Sequence, residues 1–258
     1  MATIDITYFN LLLGFVLLLI PLFILWYYRT GLVRTTVVAV ARMTAQLLFI
    51  GFYLKYLFEW NNPYINIAWV LGMILIAGQA ALSRTKLPWR LLLLPVSVAF
   101  LTAITLVGGY FLGVVVELNP IFDARYFIPI SGSLLGNMLS ANVIALNAYF
   151  SGLQRERQLY YFLLGNGATR HEAQIPFIRT ALLKSFNPTI ANMAVMGLVA
   201  LPGTMIGQIL GGSSPDVSIK YQIMIMLINF SASILSVVIS IKLCARQSFD
   251  AYGCLKAI

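Results

Sequence analysis

Hydrophobic and polar positions alternate along this chain in long blocks, not residue by residue. Apolar runs occupy about 9–28, 37–58, 64–82, 91–116, 127–150, 188–211 and 221–243, with short polar connections between most of them. At about 1.5 Å per residue, each run is long enough to cross a hydrocarbon core of about 30 Å. Backbone groups in lipid must be satisfied within the segment, and the runs are too long for barrel strands. The pattern therefore predicts an all-α integral membrane protein, a polytopic bundle of about seven transmembrane helices forming one domain over 1–258. The first run does not read as a secretory signal: it is too long, Asp5 precedes it, and no small-residue cleavage pattern follows.

Only the connection at about 151–187 is sizeable. Ser151 to Gly165 continues the fifth run with charged, aromatic and leucine residues, and reads as a helix ending where Gly165 or Gly167 takes a left-handed position. Thr169 followed three residues later by Glu172 has the spacing of a capping box, so a second helix is expected to start there. Its apolar positions Ile175, Ile178, Leu182 and Leu183 recur at helical spacing. Pro176 is expected to kink or break it, and Pro188 to open the next span. The connection thus reads as a helix-turn-helix lying along the membrane surface. Two roles fit: an interfacial anchor, or a handle for another protein.

Composition agrees with the hydropathy: 60% of the 258 residues are hydrophobic and 10% are charged, against about 25% charged in a soluble domain. The net charge of +9 does not point to nucleic acid, because the basic residues sit in loops between runs. Arg29, Arg34, Arg42, Arg84, Lys86, Arg90, Arg155, Arg157, Arg170, Arg179, Lys184, Lys242, Arg246 and Lys256 fall on one side, leaving Lys55, Arg125 and Lys220 for the other. That bias predicts an external N-terminus and a cytoplasmic C-terminus, at the plasma membrane (the inner membrane in a bacterium). Cys244 and Cys254 have no metal-ligand spacing and read as small apolar residues.

Three stretches carry a resemblance: GNGATRHEAQIPFIRTAL, PTIANMAVMGLVALPGTMIGQILGG and YQIMIMLINFSASIL. From about Asn137 to Cys244 the chain resembles the FetB-type family of ATP-binding-cassette (ABC) transporter permeases, whose bacterial members are associated with iron export and plant relatives with aluminium tolerance. Gly167, Ala168, Thr169, Glu172 and Ala173 match that family's cytoplasmic loop. The run from Leu201 to Leu210 resembles its most specific signature, departing from it at Thr204 and Ile206. The resemblance implies that Glu156, Gly165, Gly167, Ala168, Thr169, Glu172 and Ala173 form the ATPase-coupling element. It also implies two copies of the chain around a shared path. No G-x-x-x-x-G-K-[ST] sequence is present to cradle ATP phosphates. ATP and magnesium would therefore belong to a separate ATPase subunit, and this chain would hold no cofactor.

Polar residues inside apolar runs are costly unless paired, so their positions carry information. Gln222, Met226, Asn229, Ser233, Ser236 and Ser240 share one face of the seventh run; Ser133, Asn137, Ser140 and Asn147 share one face of the fifth, with Ile144 between them. These faces either line a translocation path or bond helices together. Gly203, Gly207 and Gly211 fit a close helix seam, while Pro202 is expected to bend the sixth helix, turning Met205 and Gln208 toward the path on the family reading. Gln46 and Gln79 read as bonding other helices, and Arg42 as reaching the interface or capping a neighbour.

No acid lies in mid-run, and the single His171 reads as an exposed loop residue, so no tight metal cage is predicted. With no Ser–His pair, carboxylate dyad or HExxH, the chain reads as a transport subunit and not an enzyme. The competing reading is an ion-gradient-driven secondary transporter, against which the lack of an intramembrane acid weighs.

Overall fold

The computed structural model describes residues 7–250, which are helical almost throughout. In chain order the helices are α1 (Tyr8–Gly14), α2 (Leu19–Tyr27), α3 (Val33–Trp60), α4 (Pro63–Thr85), α5 (Trp89–Ala103), α6 (Ala124–Arg155), α7 (Arg157–Gly165), α8 (Arg170–Val195), α9 (Gly203–Leu210) and α10 (Pro215–Ser248). A 3₁₀ turn at Phe15–Leu18 joins α1 to α2, and α5 runs on through π-helical turns at Ile104–Gly108 and Phe111–Val115. Among the described residues, six helical stretches are long and apolar enough to cross a membrane: Phe9–Tyr27, Val33–Trp60, Pro63–Thr85, Trp89–Val115, Ala124–Arg155 and Pro215–Ser248.

The core lies between α4, α5, α6, α8 and α10, with Leu82, Leu92, Phe100, Leu134, Met138, Leu146 and Tyr149 fully buried. Hydrogen bonds fix the directions. Ser133 meets Asn229 and Asn142 meets Ser236, so α6 and α10 run parallel. Ser185 donates to Ala141 O, and Phe177 touches Gly152, so α8 runs antiparallel to α6. Arg155, Arg170, Lys242 and Arg246 therefore share one end of the bundle, called the basic end below.

At the opposite end, the α3–α4 turn is short because Asn61 takes a left-handed conformation and Asn62 caps α4, with Pro63 in its first turn. Asn61 Oδ1 accepts from Ala124 N at 2.9 Å and Asn66 Nδ2 donates to Phe122 O at 2.9 Å, tying that turn to the start of α6. These bonds and a small cluster around Leu57, Ala124 and Ile128 attach the N-terminal helices. Elsewhere, among the described residues, α2 and α3 bury none, and residues 9–14 of α1 are exposed. Arg42 and Gln46 on α3, and Gln79 on α4, lie exposed and not against another helix.

The sixth run departs from expectation. Residues 188–211 are not one helix. α8 begins at Arg170, passes without interruption through both Pro176 and Pro188, and ends at Val195. Each proline removes one N–H from the helical ladder, and the flanking turns carry the helix past it. The interruption comes at 196–202, where Gly197 has φ +86° and its N–H returns to Ala200 O at 3.0 Å. Pro202 then stands as the N-cap of α9 and does not bend a continuous helix. Hydropathy does not register this break, because its residues are apolar: Leu198 is 91% exposed and Val199 82%.

One glycine sets a helix contact. A Cβ on Gly78 of α4 would lie 2.8 Å from Ser97 Oγ and 3.4 Å from Leu93 Cδ1 of α5. Gly78→Val is expected to lower unfolding free energy in detergent by about 1–3 kcal/mol through overpacking. Gly72→Ala, where a Cβ meets nothing within 4 Å, is expected to be neutral or stabilising; an equal loss at both positions would show that close α4–α5 approach is not what Gly78 provides.

Candidate functional site

Tyr126, Ile130, Ser133, Asn137, Ser140, Ile144, Asn147, Ser151 and Arg155 follow one another along α6 at steps of three and four, on a single face. At 1.5 Å per residue this stripe extends about 44 Å, more than the roughly 30 Å of a hydrocarbon core. Asn137, Ser140, Ile144, Asn147 and Ser151 are all exposed. A helix face that is polar and open through the membrane is poorly suited to lipid.

Three cavities lie along this stripe. The largest, about 550 Å³, sits away from the basic end between α6, α9 and α10, lined by Arg125, Tyr126, Ser133, Thr204, Gln208 and Tyr221 among others. The middle one, about 120 Å³, is walled by Asn137 and Ser140 of α6, Thr189 of α8, and Met226, Asn229 and Ser233 of α10. The third, about 350 Å³, opens at the basic end between α6 and α8, beside Asn147, Ser151, Arg155, Thr180 and Lys184. The middle cavity is the smallest of the three, with room for about four waters, and is called the constriction below.

Hydrogen bonding decides what the constriction offers. Asn137 Nδ2 donates to Ser133 O at 2.9 Å and Ser140 Oγ to Gly136 O at 3.1 Å, both within their own helix. Asn229 Nδ2 donates to Ser133 Oγ at 3.2 Å. The one hydroxyl donor of Ser140 is engaged locally, so it presents oxygen lone pairs outward, while Asn137 presents its amide oxygen and its second N–H. Among the described residues no three His, Cys, Asp or Glu side chains group as metal ligands. Neutral oxygens suit a hydrated or complexed ion better than a stripped dication.

The predicted path residues therefore separate. Asn137, Ser140, Met226 and Asn229 meet in the middle cavity, and Gln208 lines the large one. Gln222 is buried and accepts a hydrogen bond from Thr204, so it fixes α9 to α10 without lining any of the three cavities. Pro202 belongs to the break, and half-buried Met205 lines none of the three. A Cβ built on Gly203 or Gly207 would meet nothing within 4 Å, so the expected close seam is not formed at these positions among the described residues. Lower on α10, Ser236 and Ser240 are fully buried; Ser236 accepts from Asn142 Nδ2 at 2.9 Å, which makes that half of the stripe a helix–helix bond. Asn142 lies off the polar face marked in the sequence, and a single buried asparagine in an apolar run gives no periodic signal. Arg125 and Tyr126 stand at the start of α6, just outside the fifth run, and Tyr221 opens the seventh run, nearly two turns inside α10.

At the basic end, α6 stops at Glu156, which leaves helical geometry and pairs with Arg155 at 2.8 Å. After α7, Ala168 N returns to Leu163 O and Gly167 N to Leu164 O, with Gly167 at φ +90°. This is a Schellman turn, so Gly167 holds the left-handed position and Gly165 closes the helix. Thr169 and Glu172 then form the capping box: Thr169 Oγ1 accepts from Glu172 N, and Glu172 Oε2 accepts from Thr169 N at 2.7 Å. Gly165, Gly167, Thr169 and Glu172 are exposed, Ala168 is half-buried, and Ala173 is fully buried against the core. Tyr160, 2% exposed, stacks near Phe177 and Phe249, anchoring α7 to α8 and to the end of α10.

A helical bundle of this length and apolarity, with an open polar face on α6, defines a multi-pass membrane protein. The chain belongs to the uncharacterised protein family UPF0014, whose model matches residues 8–249. It is 29% identical to "UPF0014 membrane protein YjkA" of Bacillus subtilis over 96% of this chain and 98% of that one. It is 30% identical to "Probable iron export permease protein FetB" of Escherichia coli over 95% and 93%, and 32% identical to "Protein ALUMINUM SENSITIVE 3" of Arabidopsis thaliana over 82% and 76%. No solved structure matches the chain significantly.

Two predictions come from these contacts. Asn142→Ala and Ser236→Ala are each expected to destabilise the fold in detergent, with a coupling of about 0.6 and at most ~1.7 kcal/mol. A double-mutant cycle on unfolding measures it, and strict additivity would break the assignment. The second concerns pH. The Thr169 backbone N–H and then its hydroxyl hold the Glu172 carboxyl below the usual carboxylate range. Its contribution is thus present above the unfolded-state pKa and lost as pH falls through the lower folded value. Amide protection at residues 170–173, corrected for intrinsic exchange, is expected to drop on acidification in the native chain, with no such step in Glu172→Gln.

Proposed function

We propose that this chain is the membrane-spanning permease subunit of an ABC transporter that exports iron, or another metal ion, from the cytoplasm. A separate ATPase would supply the energy, with two permease copies around a shared path. The observation that carries this reading is the stripe of α6 with its three cavities, joined by one helix to an exposed tip. Thr169, at the tip, caps α8, and the same helix supplies Thr180 and Lys184 to the cavity at the basic end and Thr189 to the constriction. From Arg170 to Thr189 is about 28 Å of rigid helix. A push on Gly165, Gly167, Ala168, Thr169 or Glu172 therefore moves the cavity walls directly, with Glu156 as the break that separates the tip from α6.

The basic end is taken as cytoplasmic from its lysines and arginines. On that reading α8 and α9 together make a seventh, discontinuous crossing, with the interruption beside the large cavity, as in transporters that bind cargo at broken helices. The iron comes from the FetB relative; neutral oxygens at the constriction are compatible with an ion that keeps its water or a chelator and must be released.

The test is to purify the tagged chain from its host and assay ATP hydrolysis with and without ferrous iron. A co-purifying ATPase stimulated by iron is expected. Gly167→Val and Glu172→Ala are expected to weaken ATPase association, whereas Asn137→Leu and Asn229→Leu keep association and lower iron efflux by about tenfold, equivalent to ~1.4 kcal/mol of barrier. Association that survives both tip substitutions removes the coupling role. An ATPase indifferent to iron removes the cargo assignment alone, and a lone chain indifferent to nucleotide favours a gradient-driven carrier.

A further inference from the structure

A fourth cavity, about 380 Å³, lies at the basic end and outside the polar stripe, between the start of α8 and the end of α10. Arg170, His171, Lys242 and Arg246 form its polar side, and Ile178, Ile241 and Ala245 its apolar side. Among the described residues no carboxylate lines it. Gln174 also lines it; this side chain is 6% exposed, and its Nε2 has no hydrogen-bond partner. Arg170 is fixed in place, donating to the Asp250 carbonyl and lying over the Phe249 ring at 5.5 Å. Lys242 and Arg246 are one turn apart on α10, a like-charged pairing that is unfavourable by itself.

We propose that this cavity binds the phosphate of an anionic membrane lipid. Three cationic side chains and a buried amide donor converge where an acceptor-rich anion would satisfy all of them, and phosphate oxygens are such acceptors. The apolar wall favours a lipid over a free ion, since Ile178 and Ile241 offer a surface for the glycerol and first methylenes. Basic pockets between membrane helices near the headgroup level are suited to this role. The bound headgroup joins the first turns of α8 to the last turns of α10. This inference rests on the chain being a membrane protein and is independent of any ATPase or cargo.

The chain, purified in detergent, is offered phosphatidylglycerol or phosphatidylcholine, and retained lipid is counted by native mass spectrometry. Phosphatidylglycerol is expected to be retained in preference, and the exposed-site variant Lys242→Gln/Arg246→Gln to lose that preference by about tenfold or more. Arg84→Gln/Lys86→Gln, which removes two charges elsewhere at the same end, is expected to keep it. Gln174→Met, which retains buried volume without the amide, is expected to lower retention while unfolding at the native temperature or above without lipid. Unchanged retention in both the Lys242/Arg246 and Gln174 variants overturns the proposal, as does an equal loss in the Arg84/Lys86 control, which would mean diffuse attraction. Thermal stabilisation by millimolar inorganic phosphate, with none from phosphatidylglycerol, would also overturn it by assigning the cavity to a soluble anion.

Discussion

A polypeptide inside hydrocarbon has no water to satisfy its backbone, so a stretch where the helical ladder stops must find its hydrogen bonds another way. Between Val195 and Gly203 the helical ladder is interrupted. The N–H groups of Gly197, Leu198 and Val199 find Ala200 O and Val195 O, so the interruption closes much of its own hydrogen bonding in a few residues. Such a break is tolerated only where protein or a water-filled space surrounds it. The 550 Å³ cavity is lined by Thr204, Gly207 and Gln208 from the helix that resumes after the break. Residues 196–202 do not themselves line it, and Leu198 and Val199 are exposed, so it is the short helix α9, and not the unwound backbone, that forms this wall.

The polar groups of α10 show how the same residue types divide between packing and path. Ser236 and Ser240 are sealed against neighbouring helices, and Asn142 reaches Ser236 across the interface. Met226, Asn229 and Ser233, one to three turns earlier, border open space. The difference is the direction of α8. It leaves the basic end packed on α6, with Ser185 Oγ on Ala141 O at 2.9 Å, and beyond that bond its wall opens onto the constriction. A periodicity argument sees one continuous stripe because all these residues share a face of α10. Only the third helix determines which of them are covered.

That third helix is also where sequence reading fell short. Six of the apolar runs, the two ends of the connection, the Schellman glycine and the capping box were legible because each rests on local chemistry: run length, a left-handed residue, a Thr three positions before a Glu. Pro176 and Pro188 read as interruptions because proline removes a backbone donor, yet α8 passes both. Met196 to Pro202 read as span because Leu198, Val199 and Leu201 are apolar, yet the helix stops there. Hydropathy measures where side chains are at ease and does not measure whether the backbone is helical. The candidate site divides accordingly: Asn137, Ser140, Met226 and Asn229, on continuous α6 and α10, border one cavity, whereas Gln222, Pro202 and Met205 line none of the three.

The continuity of α8 has a mechanical consequence that a chain of two separate helices would lack. A surface helix ending before Pro188 could tilt without disturbing the membrane interior. A single helix from Arg170 to Val195 cannot, because it is held by Ala173, Phe177, Ala181 and Phe186 in the core as far as the constriction. The tip is exposed but not loose: Tyr160 is packed by Phe177 and Phe249, and the capping box closes the first turn. The helix is therefore continuous from the tip to the constriction, although Pro176 and Pro188 each remove one bond from its ladder. At its far end α8 gives way to the unwound segment, after which α9 forms one wall of the 550 Å³ cavity.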